Sequence, residues 1–346
     1  MARYRYKPYR KKRFRKGNKR FFILAVAVII AIFFILNKCR NNDEEVSFIP
    51  EDIDQKVETV ETIEAPEPLP LPEPEPEPSE TTSQIKTTPL ADSTGPQART
   101  LIEEALGDIT AGQIISARDK LIQAMPMKLS SRMLTTVKAQ LAELSKRWLF
   151  SRDPYAGDSL TAVYEVQSGD QLRNIAKKHK VPYELLMKIN GIKDARKLRA
   201  GNKIKVINGP FHAIIYRSTF AMDLYLGNKT YIKTYRIGLG LPGKDTPTGK
   251  WRVRIDEKLV DPVWYPSEGG IVQSGDPKNP LGSRWIGLKG IEGEAKGQPK
   301  YGIHGTKDPD SIGKRSSRGC IRLHNGEVKE FYDLMMPGIS EIRVVD

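Results

Sequence analysis

One histidine and one cysteine, sixteen positions apart, lie in two glycine-rich stretches near the C-terminus. The first stretch is residues 301–306, YGIHGT, with His304; the second is residues 316–325, SSRGCIRLHN, with Cys320. A Cys/His pair can carry out acyl transfer, in which the thiolate attacks a carbonyl and the imidazole takes and returns the proton. A cationic neighbour lowers the pKa of a thiol. The spacing alone leaves open a buried structural cysteine in a core strand.

The two stretches closely resemble the signature of the L,D-transpeptidase catalytic (YkuD) family, which is roughly IHGT, a spacer and S-x-G-C-I-R. The order of the two residues supports this resemblance, because papain-like and NlpC-type enzymes place the cysteine first and caspases use another signature. Further blocks resemble the family, so the resemblance covers about residues 210–346; these blocks are residues 238–240, 246–249 and 279–285.

The resemblance implies roles for particular residues. Cys320 is the expected nucleophile, and His304 is the expected base, oriented by the backbone carbonyl of Gly305. The backbone N–H groups of Arg318, Gly319 and Cys320 are expected to bind the oxyanion; the family often has histidine at position 318. Other matching positions line or support the substrate pocket, with packing or loop bonding as the alternative: Tyr301, Ser317, Arg322 and Trp285.

The implied reaction is a two-step acyl transfer on peptidoglycan stem peptides, without a cofactor. The cysteine attacks the carbonyl of the third residue, a diamino acid, and the terminal D-alanine leaves. A side-chain amine of another stem then resolves the thioester and forms a 3→3 cross-link, whereas water would give L,D-carboxypeptidase activity. A metal site built from His304, Cys320 and His324 is disfavoured, because no CxxC or HxxxH spacing is present.

Length, cysteines and charge restrict the class of protein. The chain has 346 residues, which predicts two or three domains, and its two cysteines, Cys39 and Cys320, do not form a disulfide framework. Residues 1–20 hold eleven Lys and Arg and no acid, residues 43–80 carry a net charge of −13, and residues 81–346 carry about +14. A basic folded part favours an anionic partner, either a wall polymer or nucleic acid.

The N-terminus predicts a membrane anchor. Residues 21–36 are uninterrupted apolar residues; a helix of that length spans about 24 Å, and flanking Arg20 and Lys38 can extend its reach. No small-x-small cleavage site follows, so an uncleaved anchor is favoured over a signal peptide. The basic tail, residues 1–20, then lies in the cytoplasm and the rest outside it. We therefore expect a single-pass protein of the cytoplasmic membrane with a periplasmic or otherwise extracytoplasmic catalytic domain, and no nucleic-acid partner.

Two segments separate the anchor from the compact modules. Residues 37–96 are acidic and proline-rich, which predicts an extended linker. Residues 97–151 show three apolar stripes at helical spacing, with Pro126 between the second and third. This pattern predicts a small helical packing segment, with partner binding as the alternative.

Residues 162–208 show a strand–helix–helix–strand pattern that closely resembles a LysM domain. The resemblance rests on a V-x-S-G-D turn, an N-G pair that ends the second helix, and L-x-A-G-N before the last strand. It implies binding of glycans that contain N-acetylglucosamine. The expected contacts, each also explicable as a turn or cap, are Ser168, Gly169, Asp170, Asn190, Gly191 and Ile192.

Residues 209–346 predict the catalytic domain as a mainly-β sandwich or barrel, with a final helix for which Asn325 is the predicted N-cap. The whole chain is therefore predicted to be a multidomain α+β protein: anchor, helical segment, LysM domain and transpeptidase domain. The alternative is a non-catalytic tether that binds wall glycan through the LysM domain. A sortase-like ligase is disfavoured because the T-L-x-T-C loop is absent.

Overall fold

The structure, a computed structural model, describes residues 93–266 and 268–346. The predicted basic tail, anchor and nearly all of the acidic linker lie outside these residues. Within the described ranges, no helix is both long enough and apolar enough to span a membrane.

Three helices form the first part: α1 (Pro96–Thr110), α2 (Ile114–Ala124) and α3 (Ser131–Trp148). The predicted stripes face the core; on α3, Val137, Leu141, Leu144 and Trp148 are buried. Ser130 caps α3 by accepting a hydrogen bond from the Met133 N–H at 3.3 Å. The helical segment begins slightly earlier than predicted, because the Gly95 N–H already donates to the Lys128 carbonyl at 2.9 Å.

The LysM domain consists of β1 (Thr161–Glu165), α4 (Leu172–Lys178), α5 (Tyr183–Asn190) and β2 (Lys203–Ile207). β1 and β2 pair antiparallel and form a two-stranded sheet. Pro182 precedes α5, and Gly191 ends it in the left-handed conformation at φ 64°. Glycine adopts this conformation without steric cost, which explains the N-G pair in the sequence.

The catalytic domain is built on a mixed sheet of eight strands in the order β11-β9-β8-β7-β12-β3-β4-β5. A separate parallel pair joins β6 to β10, and α6 (Asn325–Leu334) follows β11. The end strands β11 and β5 do not pair with each other, so the sheet is open; of the two predicted alternatives, sandwich or barrel, the closed barrel is wrong. The strands are β3 (Phe211–Tyr216), β4 (Ala221–Leu226), β5 (Thr230–Arg236), β6 (Leu239–Gly240), β7 (Gly249–Val260), β8 (Arg284–Glu292), β9 (Tyr301–His304), β10 (Arg315–Ser317), β11 (Ile321–Arg322) and β12 (Glu341–Val345).

Helix α3 joins the helical segment to the catalytic sheet. It packs against β5, the edge strand, and so covers an edge that would otherwise expose unpaired backbone groups. Lys138 of α3 places its Nζ 2.6 Å from an Asp223 carboxylate oxygen on β4, and Asp223 is fully buried. A buried carboxylate needs such a partner, because an unpaired charge in the interior is costly.

The LysM domain is fixed to the same helices by buried cations. The Lys205 ammonium of β2 donates to the backbone carbonyls of Trp148, Ser151 and Asp153, at and after the C-terminus of α3. Arg118 of α2 lies 2.8 Å from Asp158, and both side chains are almost completely buried. The three modules are therefore packed together through specific polar contacts as well as through apolar ones.

Candidate active site

Strand pairing brings the histidine and the cysteine together. β9 and β11 are parallel neighbours, with Arg322 opposite His304 and Ile321 opposite Ile303. Side chains alternate along a strand, so His304 and Arg322 share one face while the two isoleucines are buried on the other. Cys320 directly precedes β11, and the strand alternation extended by one residue places it on the face of His304. The predicted pair therefore occupies one face of adjacent strands.

The imidazole of His304 is fixed in one orientation. Its Nδ1 lies 2.6 Å from the Gly305 carbonyl oxygen, and because a carbonyl only accepts, Nδ1 carries the proton. The indole of Trp285, opposite His304 on β8, stacks on the ring at 5.7 Å between centroids and 21° between planes. Nε2 is thus the unprotonated nitrogen, and the predicted orienting role of Gly305 agrees with this geometry.

Burial decides the charge state of the pair. The pKa of His304 is lowered to about 4, chiefly because burial penalises the charged ring; the Arg322 cation lowers it as well, and the bond to Gly305 opposes the shift. Burial also raises the pKa of the Cys320 thiol, whereas the Gly302 N–H and the Arg322 cation each lower it by less. At neutral pH both partners are therefore uncharged. Arg322 acts on the thiol in the expected direction, but burial outweighs it.

The turn that carries Cys320 is held from inside by Ser317. The Ser317 hydroxyl donates to the Cys320 carbonyl at 2.6 Å and accepts from the Gly319 N–H at 3.0 Å. Two predictions change as a result. The Gly319 N–H is already occupied and does not act as an oxyanion donor in this conformation, and the buried Ser317 shapes the turn instead of contacting substrate.

Position 319 requires glycine for two reasons, its backbone conformation and the closeness of Tyr301. Its φ is 115°, and a β-carbon there would come within 2.7 Å of Cε1 of Tyr301. Tyr301 in turn packs on Trp251 with ring centroids 5.0 Å apart. The half-buried Tyr301 therefore covers the turn that carries Cys320 from one side, and a contact of Tyr301 with substrate stays a prediction.

Two positioning residues were missed from the sequence. Thr246, which is fully buried, donates its hydroxyl to the Gly319 carbonyl at 2.8 Å. The TPTG block that contains it resembles the family, but its contact lies 73 residues away in the chain, and no local pattern predicts such a contact.

Asn325 is the second missed residue. It does not cap α6, because His324 occupies the N-cap position. The Asn325 amide instead donates to the Thr306 carbonyl at 2.8 Å and accepts from the Ser283 N–H at 3.1 Å. A β-carbon at Gly305 would collide with Asn325 Oδ1, so this side chain fills the space beside the carbonyl that orients His304.

The remaining predicted residues lie around the pair. One terminal nitrogen of Arg322 donates to the Ser316 hydroxyl at 3.2 Å, and its Nε is buried without a partner among the described residues. Arg318 is exposed on the catalytic turn. The Cys320 sulfur lies 3.9 Å from the Lys300 carbonyl oxygen, a weak thiol contact.

The predicted glycan residues of the LysM domain fall into two groups. Asn190 is 7% exposed and is held by the backbone: its amide donates to the Leu186 and Lys205 carbonyls and accepts from the Lys205 N–H. Asp170 accepts from Tyr164 and Gln167, while Ser168 and Gly169 are exposed.

A cavity of about 330 Å³ is lined by Asn190 and Ile192 with Leu198 and Asn202. The turn at residues 168–170 is not part of its lining. The hydrogen bonds of Asn190 therefore give this side chain a structural role, and the other glycan contacts remain predictions.

Comparisons with known families agree with this architecture. Residues 210–344 match the family described as the L,D-transpeptidase catalytic domain, YkuD. Residues 164–206 match the LysM domain family. The two predicted modules are thus confirmed in the predicted order, with the LysM domain first.

Individual relatives support the same family assignment. The putative L,D-transpeptidase YkuD of Bacillus subtilis (strain 168) is 32% identical over 182 residues, which cover 51% of this chain and 94% of that protein. The putative L,D-transpeptidase YqjB of the same organism is 35% identical over 132 residues, covering 38% and 69%. The NMR structure of the catalytic domain from E. faecium L,D-transpeptidase is 20% identical and covers 39% of this chain and 95% of that one, with a TM-score of 0.29. The match over nearly the whole of the first relative shows that the chain belongs to the L,D-transpeptidase (YkuD) family.

Proposed function

We propose that this L,D-transpeptidase cross-links peptidoglycan through a thioester on Cys320. The observation that carries the proposal is the fixed tautomer of His304, whose Nδ1 is bound to the Gly305 carbonyl, while Cys320 stands directly before β11, the parallel neighbour of the strand that carries His304. A neutral imidazole with a free Nε2 lone pair is the general base that a neutral thiol requires.

In the first half-reaction the Cys320 sulfur attacks the carbonyl of the diamino acid at position three of a tetrapeptide stem. His304 Nε2 takes the thiol proton as the sulfur–carbon bond forms, and then gives it to the leaving amine of D-alanine. The pKa of about 4 for His304 keeps this base unprotonated at neutral pH. Because the resting thiol is neutral, the thiolate forms during attack and not before it.

The tetrahedral intermediate carries a negative oxygen beside the catalytic turn. We assign its stabilisation to the backbone N–H groups of Arg318 and Cys320, since Ser317 already holds the N–H of Gly319. An oxyanion donor contributes about 3 kcal/mol to lowering the barrier. In the second half-reaction the side-chain amine of another stem attacks the thioester carbon, the carbon–sulfur bond breaks, and His304 passes the amine proton to the Cys320 sulfur as the 3→3 cross-link closes. Water in place of the amine gives L,D-carboxypeptidase activity.

The location of the reaction is the second part of the proposal. The LysM domain is assigned to glycan binding through the loops at residues 168–170 and 190–192. The apolar run at residues 21–36 is assigned to a membrane anchor, with the basic tail in the cytoplasm and the enzyme outside. Its support is the sequence pattern: eleven basic residues before the run and none of the cleavage signals after it.

The test of the mechanism is acylation of the full chain by a carbapenem, followed by intact-mass measurement, together with release of D-alanine from a tetrapeptide stem. We expect a single adduct on Cys320 and release of D-alanine. Cys320→Ala should abolish both without changing the thermal unfolding temperature, because the thiol makes only a weak contact. Full activity in Cys320→Ala would reject the mechanism, and binding to cell wall without acylation by the unmodified chain would support the tether alternative.

A further inference from the structure

Three modules meet around one cavity of about 440 Å³, which we call the junction pocket. Its walls come from α3 of the helical segment, α5 of the LysM domain, and α6 with β5 of the catalytic domain. The pocket does not include Cys320 or His304, and it is separate from the cavity beside the LysM loop.

The junction pocket has an apolar floor. Leu185, Ile189 and Leu334 line it, and their exposed fractions are 2, 4 and 1%. Phe150 adds an aromatic side chain at the C-terminal end of α3. Such a floor favours a ligand with aliphatic groups, since covering apolar surface is favourable.

The rim of the junction pocket is basic. Four lysines line it against two acids: Lys146, Lys188, Lys233 and Lys329 against Glu330 and Asp333. Lys233 pairs with Glu330 at 3.1 Å and Lys188 lies 3.9 Å from Asp333, so both acids are already engaged.

The other two rim lysines supply the surplus charge. Lys146 pairs with Glu143, which is not part of the lining, at 2.6 Å on an exposed part of α3. Lys329 makes no ion pair within the described part of the chain. The lining therefore offers one lysine without an ion pair among the described residues, Lys329, and a second, Lys146, whose exposed pair a carboxylate of an anionic ligand can replace.

The position of the junction pocket narrows the choice of ligand. Ile189 of the floor is two residues before Gly191 of the predicted glycan loop. Gly326 of the opposite wall is six residues after Cys320, a separation of at most about 20 Å in an extended chain. A polymer that reaches from the LysM loop toward the active site has this pocket within reach.

We propose that the junction pocket binds a second stem peptide of peptidoglycan, carried by the glycan strand that the LysM domain holds and distinct from the stem under attack. The proposal rests on the proposed function, because it takes peptidoglycan as the substrate. Carboxylates of the stem pair with Lys146 and Lys329, and its aliphatic side chains cover the apolar floor. Exposed ion pairs contribute little individually. A weak site suffices here, because attachment to a strand already bound by the LysM domain gives the stem a high effective concentration.

The experiment uses the full chain with Cys320→Ala and labelled isoleucine methyl groups, observed by NMR. The probes are a tetrapeptide stem and the same peptide with its carboxyl groups amidated. We expect a saturable shift of the Ile189 methyl with the free acid and little with the amide. The charge reversal K146E/K329E should weaken binding at Ile189 about tenfold. The control K289E/K296E changes two exposed lysines outside the pocket lining by the same charge and should stay within about twofold.

Three results would overturn the proposal. In the first, the Ile189 methyl signal does not shift while that of Ile303, beside His304, does. In the second, both charge reversals weaken binding equally. In the third, the amidated peptide binds as well as the free acid. The last comparison needs no variant, so a folding defect in a variant does not obscure it. Release of D-alanine by the unmodified chain is measured separately. If D-alanine is not released but Ile189 responds to the peptide, the proposed function is rejected and the pocket proposal is not. If D-alanine is released but Ile189 does not respond, the pocket proposal alone is rejected.

Discussion

At the scale of single residues, the buried imidazole of His304 links catalysis to stability. The unfolded chain protonates this ring from about pH 6.5, whereas the folded protein keeps it neutral down to about pH 4. Between these values the unfolded state binds more protons, so the stabilising contribution is complete above pH 6.5 and is lost as the pH falls to 4. We expect the free energy of unfolding to fall by about 3 kcal/mol more in the wild type than in His304→Gln between pH 7 and pH 4. Urea denaturation at both pH values measures this difference, and parallel losses in the two proteins would show that His304 is not held neutral.

Thr246 gives the second prediction at the residue scale. Its hydroxyl donates to the Gly319 carbonyl, so Thr246→Val keeps the shape of the side chain and removes the bond that holds the catalytic turn. We expect kcat for release of D-alanine to fall about tenfold with KM almost unchanged, because misplaced catalytic groups lower the rate more than ground-state binding. Thr246→Ser retains the hydroxyl and should restore most of the rate. A change in KM alone, or no rescue by serine, would contradict a positioning role.

The candidate site could be predicted from the sequence where the chemistry is local. His304, Gly305 and Cys320 stand in short motifs, and their geometry agrees with those motifs. The contacts of Thr246 and Asn325 could not be predicted, because each reaches a backbone group far away in the chain. The charge states of His304 and Cys320 could not be predicted either, because they depend on burial that the whole sheet produces.

At the scale of secondary-structure elements, α3 and β2 are joined by one buried ammonium. Lys205 donates to three carbonyls at and after the end of α3, and burial lowers its pKa. Lys205→Met leaves these carbonyls without their donor, so we expect the free energy of unfolding to fall by about 2–3 kcal/mol. Chemical denaturation measures it, with Lys203→Met, an exposed lysine of the same strand, as the control. Equal stabilities of the two variants would show that solvent replaces the ammonium.

Helix and strand positions were predicted well where one face is apolar. The stripes of α1 to α3 and the β1–α4–α5–β2 order follow from spacing, proline and glycine alone. The open mixed sheet was not predicted, because the parallel pair β3–β12 joins the first and last strands of the domain, which are distant in sequence. The packing of α3 on β5 could not be predicted either, because these two elements are also distant in sequence.

At the scale of the whole molecule, the helical segment belongs to the folding unit of the enzyme. Its removal deprives the fully buried Asp223 of the Lys138 ammonium and Lys205 of its three carbonyl partners, and it uncovers the edge strand β5. Breaking a buried ion pair costs about 3–5 kcal/mol. We therefore expect a protein of residues 162–346 to unfold at least about 10 °C below one of residues 93–346, with faster hydrogen exchange in β5. Within residues 93–346, Lys138→Gln isolates the ion pair and should give only part of the decrease. If both lengths unfold at the same temperature with the same exchange in β5, the helices only separate the enzyme from its linker; a lower unfolding temperature for the shorter protein shows that they stabilise the LysM and catalytic modules that they contact.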